Sequence, residues 1–339
     1  MEARLVETLP QGPGWQFEPK WDGFRCLAFG GGRSAELRAK SGKSLSRFFP
    51  EVAAMLGPLG GKFVLDGELL IPQGDSLAFD ALQMRLHPVA SRIARLSKET
   101  PALFMAFDLL VDAAGRSLLD RSLADRRKAL EDFVATHGDR AEGLRLSPYT
   151  RQRAQAERWL KRAGGGALDG VVAKRLDEPY QPGERAMLKI KCLRSADCVV
   201  GGFRYAQDSK QVGSLLLGLY NEQGRLDHVG FTSAIADAER PALTRKLERL
   251  SGGKGFDGEA PGGPSRWSTE RSAQWVPLKP RLVVEVQYDQ VTAGRFRHGT
   301  RLLRFRPDKA PRQCTFDQMQ SEARPSTLLR RALRREVAR

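Results

Sequence analysis

The feature that most constrains the fold is a change of pattern near residue 197. From Asp197 onward the chain is almost wholly strand-like. Val199–Tyr205 and Leu215–Tyr220 are apolar runs that can pair. The turn residues Asn221-Glu222-Gln223-Gly224 follow them, and then His228–Thr232. One stretch of helical spacing, Asp237–Ser251, interrupts before strands resume at Leu282–Asp289 and Thr300–Phe305. Three strands, a helix and two strands within about 115 residues predict a small five-stranded Greek-key barrel. The Gly- and Pro-rich stretch 252–266 reads as a loop.

The first half of the chain has a different character. Phe24–Phe29 is apolar, Gly30-Gly31-Gly32 turns the chain, and Ser34–Ala39 alternates back, which is a hairpin signature. Lys62–Ile71 is strand-prone around an Asp-Gly pair, and Ala102–Val111 is a continuous apolar run suited to a buried central strand. Residues 78–98, 120–136 and 151–163 have helical spacing and charged faces, the last ended by glycines at 164–166. Strands are expected again at Gly170–Arg175 and Met187–Cys192. The 339 residues therefore divide into a mixed domain over 1–193, a barrel over 194–312 and a basic, helix-prone tail over 313–339.

Lys and Arg number 56 against 40 Asp and Glu, a net charge of +16. Such a surface attracts phosphate backbones through counterion release, although Arg-rich composition alone also has blander origins. No basic amphipathic helix with an aromatic face is visible, so nucleic acid leads a membrane surface as the partner. No apolar run approaches the ~18 residues of a membrane span, and the first residues lack a secretion-signal pattern. The four Cys at 26, 192, 198 and 314 include no CxxC, which argues against a disulfide scaffold or a zinc ribbon. These features together lead to the expectation of a reduced, cytoplasmic, nucleoid-associated protein.

Two phosphate-loop look-alikes fail. Gly42-Lys43-Ser44 lacks the first glycine of a P-loop, since Leu37 stands there, and Gly30-Gly31-Gly32 opens no helix. The four His are scattered and form no metal cluster. The strong signal is a series of short motifs, each at a strand end or turn. They run Lys20-Trp21-Asp22-Gly23-Phe24-Arg25, Asp66-Gly67-Glu68, Phe107-Asp108, Asp169-Gly170-Val171-Val172-Ala173-Lys174, Lys189-Ile190-Lys191, and Arg306-Pro307-Asp308-Lys309. The chemistry of these residues is coherent. A lysine is a nucleophile only when deprotonated, and other cations close by lower its pKa. Arg25, Lys174, Lys189 and Lys191 can supply that field and neutralise a triphosphate. Glu68 and Asp169 suit a ribose contact or a Mg²⁺ ligand.

The ordered series resembles the motifs of the covalent nucleotidyltransferases: ATP-dependent DNA ligases, RNA ligases and capping enzymes. It spans about residues 15–310, and its closing Arg-x-Asp-Lys is the ligase form. The compact build and the start Glu18-Pro19-Lys20-Trp21-Asp22-Gly23-Phe24-Arg25 are most similar to small bacterial C-type ligases and the ligase module of D-type end-joining ligases. The resemblance implies an α+β nucleotidyltransferase (ATP-grasp-like) domain of antiparallel sheets and helices, followed by an OB-fold barrel. It implies ATP and Mg²⁺ (or Mn²⁺) as cofactors, and a nick in duplex DNA as substrate for a monomeric repair enzyme.

By the same resemblance Lys20 takes AMP from ATP, Arg25 and Glu68 hold the ribose, Phe107 stacks on adenine, and Glu18 lies by the adenine edge. Glu68 and Asp169 would hold the metal, Lys189 and Lys191 would grip the α-phosphate, and Lys174 would join the phosphate-neutralising field. Arg306, Asp308 and Lys309 would close over the pyrophosphate.

Two positions depart from the family pattern. Asp169 stands where Glu is usual, one methylene shorter, and Lys40-Ser41-Gly42 stands where many relatives carry an Arg. On the residues alone, Phe107 also suits a core position and Glu68 a solvated turn. With 19 residues ahead of Lys20, DNA is expected to be held by the two domains, helped by the tail. An RNA ligase or capping enzyme, and a non-catalytic single-strand-binding barrel, stay open as alternatives. The 8% aromatic content is low for the stacking platform that the last would need.

Overall fold

A computed structural model describes residues 1–74, 76–164, 167–262, 274–319 and 327–333. The chain forms two compact units: Met1–Cys192 with Glu322–Arg339, and Leu193–Ser321.

The first unit contains two sheets. One has the order Ala3–Leu5, Met187–Lys191, Leu168–Arg175, Trp15–Trp21. Side chains alternate across a sheet, so a strand with one buried face sorts its residues by parity. Phe17, Val171, Ala173 and Ile190 lie on the buried face. They pack on Ala156 and Trp159 of the helix Arg153–Lys161. The other sheet runs Glu36–Ala39, Phe24–Phe29, Val64–Leu70, Leu103–Val111, Leu144–Leu146. Its apolar face (Cys26, Ala28, Leu65, Leu69, Phe104, Ala106) buries against Phe49, Leu56, Leu82, Leu130 and Phe133 from the flanking helices. Helix Leu123–His137 starts at Ser122, whose hydroxyl accepts from the Asp125 N–H, a standard N-cap.

The stretch 78–98 is not one helix. It forms Phe79–Arg85 and Ala90–Glu99, separated by a turn containing Pro88. Proline lacks the N–H that a continuing helix needs, and it biases the residue before it away from helical backbone.

The second unit is a barrel with the hydrogen-bonded order Leu226–Thr232, Val212–Tyr220, Arg194–Tyr205, Val283–Tyr288, Arg301–Phe305. Thr300 N donates to Phe231 O at 3.0 Å and Thr232 Oγ1 to Thr300 O at 2.8 Å, joining the last strand to the first in that order. Helix Arg240–Glu248 lies between the third and fourth strands in sequence. This is the OB topology, as expected, with strand ends within a few residues of those read from the sequence.

The stretch 313–339 is not a single tail. Cys314 and Met319 are buried in the barrel core, and Tyr220 N donates to Cys314 O at 2.8 Å. Helix Thr327–Leu333 instead belongs to the first unit. There Leu329 is fully buried in an apolar cluster with Trp21, Leu70, Met105 and Leu168. The leucine spacing that makes this helix amphipathic is also what docks it. Part of the expected loop (263–266) and the last residues of the tail (334–339) lie outside the described residues.

Candidate active site

The lysine face of the first sheet is built by parity. In Trp15–Trp21, Phe17 points to the core, so Gln16, Glu18 and Lys20 share the opposite face. Lys20 stands opposite Gly170, Glu18 opposite Val172, and Gln16 opposite Lys174. On the next strand Lys189 pairs with Val172 and Lys191 with Gly170. Five of the residues singled out in the sequence therefore share one surface. Gly170 has a structural reason. Its φ is +151°, and a Cβ there would lie 2.0 Å from the Ile190 carbonyl oxygen. Only glycine lets these strands approach while Asp169 bulges from the register beside it.

Lys20 Nζ lies 2.6 Å from Asp169 Oδ2, and Lys191 Nζ lies 3.4 Å from the same oxygen. Lys20 keeps about a quarter of its side-chain surface exposed, while Asp169 is buried. Lys189 is held below the ordinary lysine pKa, first by burial and then by Lys191, Lys20 and Lys40. Lys40 thus adds to the positive charge around Lys189 while pairing with Glu2 at 2.8 Å.

Farther along this face, Lys174 Nζ donates to Glu18 Oε2 at 2.7 Å and Gln16 Nε2 to Glu18 Oε1 at 2.8 Å. Lys174 Nζ also sits 4.6 Å from the centre of the Phe107 ring, which joins the two sheets. In the second sheet Asp66 is opposite Asp108 but Gly67 is opposite Ala106, so Phe107 is an extra residue with no opposite number. The bulge explains how an otherwise buried strand presents this ring: Phe107 is half-buried between buried neighbours. Phe107 is thus a rim residue of the site and not part of the apolar core.

Arg25 and Glu68 are cross-strand partners. The Glu68 carboxyl is pushed up to about 8, chiefly by burial, with Lys20 and Arg25 pulling the other way. Its folded pKa exceeds the unfolded value of 4.5, so the unfolded chain loses its proton first. The stability Glu68 confers therefore falls as pH rises from 4.5 towards about 8.

Arg25 is held by Asp66, a motif residue to which sequence reasoning assigns no role, and by Tyr180, which it passes over. Its Nε and Nη2 donate to the two Asp66 oxygens at 3.1 and 2.7 Å, and Tyr180 Oη donates to Asp66 Oδ2 at 2.9 Å. Behind them Arg126 donates to both oxygens of Asp108 at 2.9 and 3.1 Å, fully buried. Asp66 shares Glu68's parity along the strand, so alternation could have identified it. Tyr180 lies in a loop and gives no periodic signal.

The remaining predicted residues form a separate constellation at the surface of the barrel unit. Arg306 donates to Asp308 at 2.8–3.2 Å and to both oxygens of Asp197 at 3.0 and 3.2 Å, while Lys309 reaches Asp197 at 2.7 Å. Asp308 is well exposed and held down to about 2, first by its hydrogen bonds from Arg306. Asp197 organises the group and was not identified from the sequence.

The donor set can accommodate a divalent cation. Among the described residues no three His, Cys, Asp or Glu cluster. Mg²⁺ typically takes one or two carboxylates and completes its shell with water and substrate phosphate. Asp169, 2.6 Å from Lys20, and Glu68, whose carboxyl feels the Lys20 charge, are the two carboxylates that would hold such an ion.

Comparison with known proteins places both units in one family. Residues 4–191 match the family described as ATP dependent DNA ligase domain, and residues 208–309 the ATP dependent DNA ligase C terminal region. DNA ligase C2 of Mycolicibacterium smegmatis is 42% identical over 97% of this chain and 96% of its own. The multifunctional non-homologous end joining DNA repair protein LigD of Mycobacterium tuberculosis is 31% identical over 88% of this chain and 37% of its own. A solved Lig E DNA ligase, 17% identical, shares the fold with a TM-score of 0.56 over 90% of this chain and 99% of its own. A lysine face opposed to an aromatic rim, and sequence likeness over both units to enzymes of one kind, lead to one assignment: the chain belongs to the ATP-dependent DNA ligases.

Proposed function

We propose that this ligase seals 5′-phosphate/3′-hydroxyl nicks in duplex DNA through a covalent AMP on Lys20. The observation that carries the reading is the convergence of Lys20, Asp169, Lys189 and Lys191 on one face, with Phe107, Arg25 and Glu68 on the facing sheet. In the first step the neutral Lys20 amine attacks the α-phosphorus of ATP. An N–P bond forms, the bond to the β-phosphate oxygen breaks, and pyrophosphate leaves. Asp169 is the nearest acceptor for the ammonium proton. Lys189 and Lys191 stabilise charge on the α-phosphate, where fixed cations act most strongly. Phe107 stacks on the base, Glu18 and Lys174 border it, and Arg25 and Glu68 hold the ribose. Asp169 and Glu68 would hold Mg²⁺ or Mn²⁺, which when bound neutralises phosphate charge.

In the second step an oxygen of the DNA 5′-phosphate attacks the same phosphorus and releases Lys20. In the third the 3′-hydroxyl attacks the DNA phosphorus, and AMP leaves. The link to repair rests on the end-joining relative, and a monomer acting in the cytoplasm at the nucleoid is the simplest setting for these steps. Incubation with labelled ATP and Mg²⁺ should leave label on the protein in a denaturing gel. Its absence would count against the covalent route.

Arg306, Asp308 and Lys309 are assigned to the first step, at the pyrophosphate. Closure of a second domain over a reacting group is a common gating device. Asp308→Ala is expected to slow self-adenylation by about ten- to a hundredfold, and to leave sealing of a pre-adenylated nick within a few-fold of wild type. Equal loss in both assays would point to misfolding instead.

DNA affinity is expected to depend on the C-terminal arginines. Removing residues 334–339 takes away Arg334, Arg335 and Arg339 but spares the buried Leu329. For every DNA phosphate that these arginines neutralise, the truncation should flatten the plot of log K against log salt by about 0.9. Adenylation should not change. An unchanged slope would mean these arginines are only solvated.

A further inference from the structure

The groups that hold Arg25 have no part in the steps above, yet they form a closely hydrogen-bonded cluster beside the site. Asp66 is fully buried. Its Oδ1 accepts from Arg25 Nε, and its Oδ2 accepts from both Arg25 Nη2 and Tyr180 Oη. Arg25 Nη2 also lies 3.4 Å from the Tyr180 oxygen, and Nη1 donates to the Met1 carbonyl at 2.6 Å. A guanidinium has five N–H donors in one rigid plane. Fixing three of its directions therefore fixes where the remaining proton on Nη1 points. The plane so defined places Arg25 Cζ 5.7 Å from the centre of the Phe107 ring and opposite Glu68.

Tyr180 is itself immobilised from behind. Its N–H donates to Leu119 O at 2.8 Å. Two residues earlier, the Glu178 carbonyl accepts from Leu123 N at 3.0 Å and from Arg126 Nη1 at 3.3 Å. The Arg126 guanidinium also lies 5.7 Å from the Tyr180 ring. The same segment runs on into Met187–Lys191, the strand that carries Lys189 and Lys191. The phenol thus ties the loop before the phosphate-facing lysines to the strand pair that carries Arg25 and Glu68. Burial and the Asp66 charge hold its proton on well above the ordinary tyrosine range, so it is a permanent donor.

We propose that Tyr180 is a positioning residue for ATP: through Asp66 its hydroxyl holds the Arg25 guanidinium in the plane that meets the nucleotide. The proposal rests on the reading that Arg25 contacts the nucleotide. A pre-organised donor lowers the ordering cost of binding and leaves the bond-making step alone. Tyr180 would therefore act on ATP capture and not on phosphoryl transfer.

The test is self-adenylation of the full chain at varied ATP. Tyr180→Phe keeps the ring against Arg126 and removes only the hydroxyl. It should raise KM for ATP about tenfold and leave kcat within about twofold. In an Arg25→Ala background the same change should add nothing, because its only route of action is gone. A general loss of stability would add in both backgrounds. Asp66→Asn, which keeps the shape but weakens the bridge, should raise KM in the same way. An unchanged KM in Tyr180→Phe and Asp66→Asn, or an equal further loss in the Arg25→Ala background, overturns the proposal. If Arg25→Ala itself leaves KM unchanged, the nucleotide-contact reading fails first and Tyr180 falls with it.

Discussion

Lys20→Ala protein is expected to form no AMP adduct and to seal no nick from ATP. No other lysine on the face can substitute. Lys191 shares Asp169 from the neighbouring strand at 3.4 Å, and Lys189 stands opposite Val172, one pair farther along. Lys20→Arg is the sharper control. It keeps a cation against Asp169, but a guanidinium stays protonated and is no nucleophile. Both variants should lose at least about a thousandfold in adduct formation, beyond what a single positioning group is worth. Both should still join a pre-adenylated nick at a measurable rate, because the 3′-hydroxyl is the nucleophile in that step. A labelled adduct at wild-type level in either variant would move the nucleophile elsewhere and dismantle the site as drawn.

The largest effect on stability is expected from Arg126→Ala. Arg126 and Asp108 form a fully buried, doubly hydrogen-bonded pair, and Arg126 also donates to the Arg121 carbonyl at 2.6 Å and to that of Glu178. Removing one member of such a pair strands the other's charge and typically costs about 3–5 kcal/mol. Against a total stability of about 5–15 kcal/mol that is a large fraction. The melting temperature should fall by roughly 6–20 °C for a unit of this size. Arg126→Met combined with Asp108→Leu should recover much of the loss, because apolar groups need no partner. Calorimetry decides the matter. A shift of only a degree or two for Arg126→Ala would mean that water reaches Asp108 and that the pair is not sealed.

Much of the site was legible because strands repeat every second residue. Once Phe17 is placed in the core, Glu18 and Lys20 must share the other face, and the same parity sorts Lys189 from Ile190 and Lys174 from Ala173. The barrel was legible for the same reason, with its strands separated by turn residues. What sequence reading missed depends on register and on distant partners. The reason Phe107, expected by resemblance to meet the base, escapes the core is the one-residue slip opposite Asp66 and Gly67, which no apolar run reveals. Asp197 gains its role from Arg306 and Lys309, more than a hundred residues away. Tyr180 acts from an irregular loop across a gap of 114 residues to Asp66. The break at Pro88 was available in the sequence and was outweighed by the helical spacing on either side.

The return of the chain to the first unit sets an order of assembly. Leu329 is fully buried in a cluster with Trp21, Leu70, Met105 and Leu168, and Leu328, Ala332 and Leu333 pack beside it. Most of that cluster is laid down within the first 168 residues, but its last members arrive only after the barrel sequence has been made. Until then a nascent first unit leaves an apolar seat open, so its final sealing must follow synthesis of the second.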